Sequence, residues 1–216
     1  MAYNIIDIRK IDPDSYPRYF IDSNVWIALL ESLGFSSEPR FEPYLTFFEG
    51  IVSLNIETDP KLLKKIRNKP NIIVTSLLLS EIFNGFMRQV AMKVYYSIEA
   101  TKNGPLTQEE IEKYIRKFEF KRDYRKTNDY SEKLGKLKSN FKAYKNYIDF
   151  RDDNFTELGP ISLVDSISDD ADFNDFYYYY SLAPENIPII TDDHDFIFQD
   201  IPIITANKRL LDIMKK

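Results

Sequence analysis

The sequence predicts an α/β domain built around a central parallel sheet, and three observations carry that expectation. Short apolar runs rich in strand formers recur at Arg18–Asp22, Asn71–Thr75, Pro188–Thr191 and Pro202–Thr205. Longer stretches with helical spacing separate most of them, and such alternation is the pattern of a sheet flanked by helices. The chain has 216 residues, 44% hydrophobic and 15% aromatic, enough for one sizeable domain with a packed core.

Each element has a local reason. Arg18-Tyr-Phe-Ile-Asp22 is a short strand ending on an acid, and Asn24–Leu33 follows with helical periodicity and Ser23 or Asn24 as its N-cap. Pro39 and Pro43 bracket a loop before a helix over Tyr44–Glu57, and Pro60 and Pro70 punctuate a basic stretch. Asn71-Ile-Ile-Val-Thr75 reads as a buried strand. Ser76 then caps a long helix toward Ala100, with Leu78, Ile82, Phe83, Phe86, Val90 and Val94 on its apolar positions. Asn103-Gly104-Pro105 is a break that leads into two helical stretches, Thr107–Phe120 and Lys126–Phe150. Their long polar faces predict a protruding helical hairpin inserted between about Gly104 and Gly159. Ile161–Val164 is a candidate short strand, Asp172–Ala183 a helix, Pro188–Thr191 and Pro202–Thr205 strands, and Asn207–Lys215 a closing helix. No internal repeat is visible.

Composition removes several chemistries. The chain has no cysteine, so disulfides, thiolate metal sites and cysteine nucleophiles are excluded. His194 is the single histidine, which excludes multi-histidine zinc sites. A metal here must be held by oxygen, favouring magnesium, manganese or calcium. No segment is long and apolar enough to span a bilayer, and Met1–Asp14 lacks a signal-peptide core, so a cytoplasmic protein without a membrane partner is expected.

The net charge of -5 conceals an asymmetry. Between Arg151 and Asp200 acids crowd together, among them Asp152, Asp153, Asp165, Asp169, Asp170, Asp172, Asp175, Asp192, Asp193 and Asp195. Between Lys113 and Lys145 the balance reverses, with Arg116, Lys117, Lys121, Arg122, Arg125, Lys126 and several further lysines. An acidic pocket beside a basic arm suits a metal site that also holds a polyanion. A solvated hairpin with ordinary surface lysines accounts for the second run equally well.

In parallel sheets ligands collect at the carboxyl ends of the strands, near the point where strand order reverses. Asp22 ends the first expected strand and Asp193 follows Pro188–Thr191. Glu81 lies in the first turns of the helix after Asn71–Thr75, and Asp175 on the helix leading into Pro188–Thr191. Four acids from distant parts of the chain can thus meet at one sheet edge. Carboxylates so placed raise one another's pKa unless a cation offsets them. Magnesium takes octahedral oxygen ligands and keeps waters, and a water bound to it is acidified and aligned for in-line attack on a phosphodiester.

At these residues the chain resembles the PIN-domain ribonuclease family. Phe20-Ile21-Asp22-Ser23-Asn24 is similar to the family's opening strand, acid and small polar pair. Ser76 through Glu81 is similar to its second motif. Asp175-Phe-Tyr-Tyr-Tyr-Tyr-Ser-Leu-Ala183, then Ile189-Ile190-Thr191-Asp192-Asp193-His194-Asp195-Phe196, resembles its acid-led helix, apolar strand and Thr-x-Asp-x-Asp-Phe turn. Each motif is weak alone, and four in order are more specific. The resemblance covers about Arg18–Phe86 and Ile161–Lys215. It implies a three-layer α/β/α fold and Mg2+- or Mn2+-dependent cleavage of single-stranded RNA. Asp22, Glu81, Asp175 and Asp193 would be catalytic metal ligands, Asp172 and Asp195 secondary ligands, and Ser23, Asn24 and Thr191 substrate-binding candidates. It also implies a toxin of a toxin–antitoxin pair, with an antitoxin protein as a candidate partner; a second copy of the chain is a candidate partner apart from the resemblance. The hairpin departs from the short helical pair usual in the family.

Blander readings stand beside these. Asp22 could cap a helix, Glu81 could face solvent, and Asp172 could stabilise a helix dipole. Asp172 and Asp175 are three apart and share a helix face. His194 reads as a surface turn residue rather than a general base. Asp170-Ala-Asp172-Phe-Asn174-Asp175 hints at a calcium loop but lacks its Gly and terminal Glu. Asp22-Ser23-Asn24 hints at an aspartyl phosphatase but lacks its second Asp. Four successive rings at Tyr177–Tyr180 cannot share one helix face, so one or two are expected at the surface, where bases could stack, and packing is the commoner role. The rival functions are a non-catalytic RNA- or protein-binding module and a structure-specific DNA nuclease.

Overall fold

A computed structural model describes residues 3–32, 38–167 and 172–213. Six strands form one sheet: β1 (Ile5–Asp7), β2 (Arg18–Ile21), β3 (Asn71–Val74), β4 (Ile148–Phe150), β5 (Ile189–Ile190) and β6 (Ile203–Thr205). Every neighbouring pair is parallel and the order is β1-β6-β5-β2-β3-β4. From β2 the chain adds β3 and β4 on one side, then returns to add β5 and β6 on the other. Strand order therefore reverses between β2 and β5.

Ten α-helices are described: α1 (Ser23–Ser32), α2 (Glu42–Ile56), α3 (Pro60–Leu63), α4 (Ser76–Gly85), α5 (Met92–Thr101), α6 (Gln108–Ile115), α7 (Asn128–Ala143), α8 (Pro160–Ser166), α9 (Phe173–Leu182) and α10 (Lys208–Ile213). They cover both faces of the sheet, and consecutive residues of β2 show it. Tyr19 meets Phe47 of α2 at 5.3 Å between ring centroids, while Phe20 meets Tyr178 of α9 at 4.6 Å. The two-residue period of a strand sends these rings to opposite layers. Such an all-parallel sheet with helices on both faces is consistent with a three-layer α/β/α fold. No described helix is long and apolar enough to cross a membrane.

The long helix expected from Ser76 forms, with a π-helical turn over Phe86–Ala91 joining α4 to α5. Its N-cap is Thr75, whose hydroxyl accepts from the Leu78 amide, and not Ser76. The two helical stretches expected after Gly104 form as α6 and α7, with α6 packed along α5 and α7 packed against the π-helical turn and α1. Thr107 and Glu110 close a capping box on α6, and Thr127 caps α7. The segment between α6 and α7 rests on α5 through Phe118, stacked on Tyr96 at 3.9 Å, and through Tyr124, which is fully buried. At the other end of α7, Phe141 packs against Trp26 and Phe83.

Two of the expected elements are corrected. The helix expected over Lys126–Phe150 stops at Ala143, and Ile148–Phe150 leaves it to become the edge strand β4. Ile161–Val164 is not a strand but part of α8, because Pro160 at the first helical position and Gly159 in a left-handed cap start a helix there. β1 was not expected at all. Leu33, Met214, Lys215, Asp169 and Asp170 lie outside the described residues.

Candidate functional site

Among the described residues, the buried polar side chains are Asp22, Thr75, Thr191 and Thr205. Asp22, Thr75 and Thr191 directly follow β2, β3 and β5, and Thr205 is the last residue of β6. Buried polar groups persist only where partners satisfy them, so the carboxyl edge of this sheet is where the fold concentrates polar chemistry.

Asp22 sits at the β2–β5 reversal. Its amide donates to the Ile190 carbonyl at 2.9 Å, continuing the ladder, and its carbonyl accepts from Trp26 at the start of α1. Its carboxylate accepts from the Ser23 amide at 2.6 Å and the Thr191 hydroxyl at 2.8 Å. The same hydroxyl accepts from the Asp193 amide at 3.0 Å. Thr191 thus ties the two acids at the ends of β2 and β5 to one atom. Asp22 is helix-capping in position, and its side chain remains within this polar cluster.

Asp192 turns away from that cluster. Its carboxylate accepts from the buried Tyr44 hydroxyl at 2.9 Å, and its carbonyl accepts from Asn207 at 2.6 Å. Its amide approaches the Asn24 side-chain oxygen at 3.5 Å, so Asn24 contacts the turn itself. Tyr44 also takes the Ala206 amide and shares a hydrogen bond with Thr205, pinning the loops after β5 and β6 together.

Helix α9 carries the other half of the site. Asp172 is its N-cap, closing a reciprocal capping box with Asp175. The expectation that the two share a helix face is corrected: Asp172 precedes the helix, and its carboxylate serves the amides of Asn174 and Asp175. Asn174 and Tyr178, one helical turn apart on the same face, both donate to Glu81 of α4. The Tyr178 hydroxyl reaches Glu81 Oε2 at 2.7 Å, and the Asn174 amide holds Oε1. Tyr177 donates to the Asp153 carbonyl, while the Asp153 carboxylate holds Ser76 at the start of α4. The tyrosine run is therefore half internal: Tyr177 and Tyr178 are buried and fasten α9 to its surroundings, and Tyr180 is exposed. Glu81 does not face solvent freely.

Electrostatics link these acids. Burial pushes the Asp22 carboxyl up to about 6, with Glu81 and Asp193 adding repulsion against the donors Thr191 and Ser23. Burial pushes Asp175 up to about 7, with further repulsion from Asp172, Asp22 and Asp193. Glu81 is raised by burial first, opposed by Tyr178 and Asn174, with Asp172 adding repulsion. Among the described residues no lysine or arginine pairs with Asp22, Glu81 or Asp175.

One acidic cluster among the described residues could hold a metal ion: Asp193, His194 and Asp195, whose ligand atoms all lie within 4.8 Å of one another. His194 contacts both acids there, at 3.2 Å to Asp195 and 3.8 Å to Asp193, and all three belong to the exposed turn after β5. Asp22, Glu81, Asp175 and Asp193 influence one another through space without closing to that separation. Asn174 and Tyr178 were missed in the sequence. Their spacing of four on the helix that carries Asp175 was the available signal. Comparison of the chain with family models, with curated proteins and with solved structures finds no match.

Proposed function

We propose that this chain is a divalent-metal-dependent endoribonuclease of PIN-domain type, with a three-layer α/β/α fold, cleaving single-stranded RNA at the edge where Asp22 and Asp193 follow β2 and β5. The observation that carries the reading is the set of acids lacking a cationic partner at the strand-order reversal. Burial and mutual repulsion raise Asp22 and Asp175 there, which is the electrostatic condition a divalent cation relieves. The donor set fits Mg2+ or Mn2+, being all carboxylate oxygen at Asp22, Glu81, Asp175 and Asp193, with Asp172 and Asp195 as secondary ligands. When bound, such an ion acidifies a water and offsets charge on the phosphoryl oxygens.

The chain's own residues have distinct tasks in this proposal. Ser23 and Thr191 fix the Asp22 carboxylate, so one acid is set before substrate arrives. Asn174 and Tyr178 do the same for Glu81. In hydrolysis a water oxygen bonds to phosphorus as the bond to the leaving ribose oxygen breaks, and one proton must leave the water while another reaches the leaving oxygen. Asp175, raised by burial and by the neighbouring acids while no cation is bound, would be held in its charged form by the ion and serves here as a ligand. Ser23 and Asn24 lie beside the acids as substrate contacts, whereas Thr191, fully buried with its hydroxyl engaged by Asp22 and the Asp193 amide, serves by positioning them. A toxin role and an antitoxin partner belong to the same reading, and a homodimer and a cytoplasmic location are proposed beside it.

A second reading, a non-catalytic RNA- or protein-binding module, has one observation in its favour. Both oxygens of Glu81 are already satisfied by protein donors, so that part of the site is stable without a metal. Cleavage of labelled single-stranded RNA and DNA with Mn2+, by wild type and by Asp22→Asn, separates the readings. RNA cleavage lost in the variant supports the ribonuclease, preferential DNA cleavage redirects the substrate class, and no cleavage of either favours the binding module.

A further inference from the structure

We infer that Arg88 and Arg125, gathered over the ring of Phe120, form a phosphate-binding seat for the backbone of an RNA strand; the choice of RNA rests on the proposed nuclease function. The guanidinium carbons lie 5.1 and 5.8 Å from the Phe120 ring centroid, and Arg125 also lies 5.7 Å from that of Tyr130. The rings hold the guanidinium groups while their N–H edges remain available, since neither arginine pairs with a carboxylate among the described residues. The neighbouring acids are occupied elsewhere. Glu119 and Asp123 pair with Arg122, and Asp129 accepts from Tyr124. Both arginines are exposed. A planar fork without a carboxylate partner matches the oxygens of a phosphodiester.

Two independent features agree. Arg88 lies in the π-helical turn Phe86–Ala91, a distortion often associated with functional positions. The segment from Lys113 to Lys145 holds twelve lysines and arginines against four acids, so the field around the seat attracts a polyanion. Arg88 is also seven residues beyond Glu81 on one continuous helix, roughly 10 Å along its axis. A strand held at Arg88 and Arg125 could extend toward the acids with its sequence unread, because phosphate contacts position a chain without specifying bases.

The test is fluorescence anisotropy of a short fluorescein-labelled oligouridylate, in EDTA so that nothing is cleaved, over a series of salt concentrations. Arg88→Ala/Arg125→Ala is expected to weaken binding about tenfold or more. It should also make the log–log salt dependence shallower by about 1.4, the release expected for two single-strand phosphate contacts. Arg125→Ala alone, at an exposed side chain, should give about half that change in slope. Lys64→Ala/Lys65→Ala, after α3, should leave both quantities unchanged. An unchanged slope in the double variant, an equal loss in the lysine control, or no binding by wild type overturns the seat. Wild-type cleavage of RNA with Mn2+ would still uphold the nuclease reading in each of those cases, so the two failures are distinguishable.

Discussion

Tyr178 donates its phenol hydrogen to Glu81 at 2.7 Å across 97 positions of sequence, and the tyrosine is almost fully buried. Together with Asn174 this makes α9 the holder of a carboxylate that belongs to α4. Tyr178→Phe keeps the ring against Phe20 and removes only the donor. It should cost on the order of 1.5–3 kcal/mol in urea unfolding, as for a hydrogen bond to a charged group. Mn2+ affinity should fall about tenfold, because groups that orient a metal ligand typically contribute that much. Tyr179→Phe, whose ring stacks on Phe198, serves as the control and should shift stability by no more than about 0.5 kcal/mol.

The raised acids make the metal-free protein sensitive to pH in a defined direction. Asp22 titrates near 6 and Asp175 near 7 in the folded state, against about 4 when unfolded. The folded state therefore holds more protons in that interval, so stability is greatest below about pH 4 for these groups and is lost as pH rises through 6 to 7. For the buried Asp22 alone the effect is up to about 3 kcal/mol. Asp7, Asp14 and Glu185, which arginine partners hold below their ordinary range, lose their stabilisation at more acid pH and do not mask the trend. Thermal melts in EDTA should show the midpoint falling from pH 5 to pH 8, with a flatter profile in Asp22→Asn. A midpoint constant or rising over that range would contradict the electrostatics.

The Thr191 hydroxyl bridges the Asp22 carboxylate and the Asp193 backbone amide. Thr191→Val removes the donor to Asp22 and the acceptor for the Asp193 amide at once, in a fully buried position. A loss on the order of 1–3 kcal/mol is expected. Thr191→Ser, which restores the hydroxyl, should recover most of it. Equal losses in both variants would assign the effect to methyl packing instead.

Much of this fold was legible because its central strands are nearly pure Ile, Val and Phe. Tyr19–Ile21, Ile72–Val74, Ile189–Ile190 and Ile203–Ile204 are buried on both faces and lack the alternation of a half-exposed strand. The edges were not legible. Ile5–Asp7 and Ile148–Phe150 are three residues each, carry an aspartate, and follow no turn signal strong enough to separate them from loop or helix. Ile161–Val164 misled through composition, and Gly159-Pro160 was the better guide. At the site, the motif order pointed to Asp22, Glu81, Asp175 and Asp193. The partners that orient them depend on which helix faces which, and spacing within one segment cannot show that Asn174 and Tyr178 meet Glu81, or that Thr191 meets Asp22.

The central claim is that Asp22, Glu81, Asp175 and Asp193 form a divalent-metal site, and titration calorimetry with Mn2+ on wild type and Asp175→Asn tests it most directly. The account predicts that wild type binds Mn2+ and that the variant, still folded by circular dichroism, binds at least tenfold more weakly. Wild type that binds no Mn2+, or a variant that binds as tightly as wild type, would contradict it.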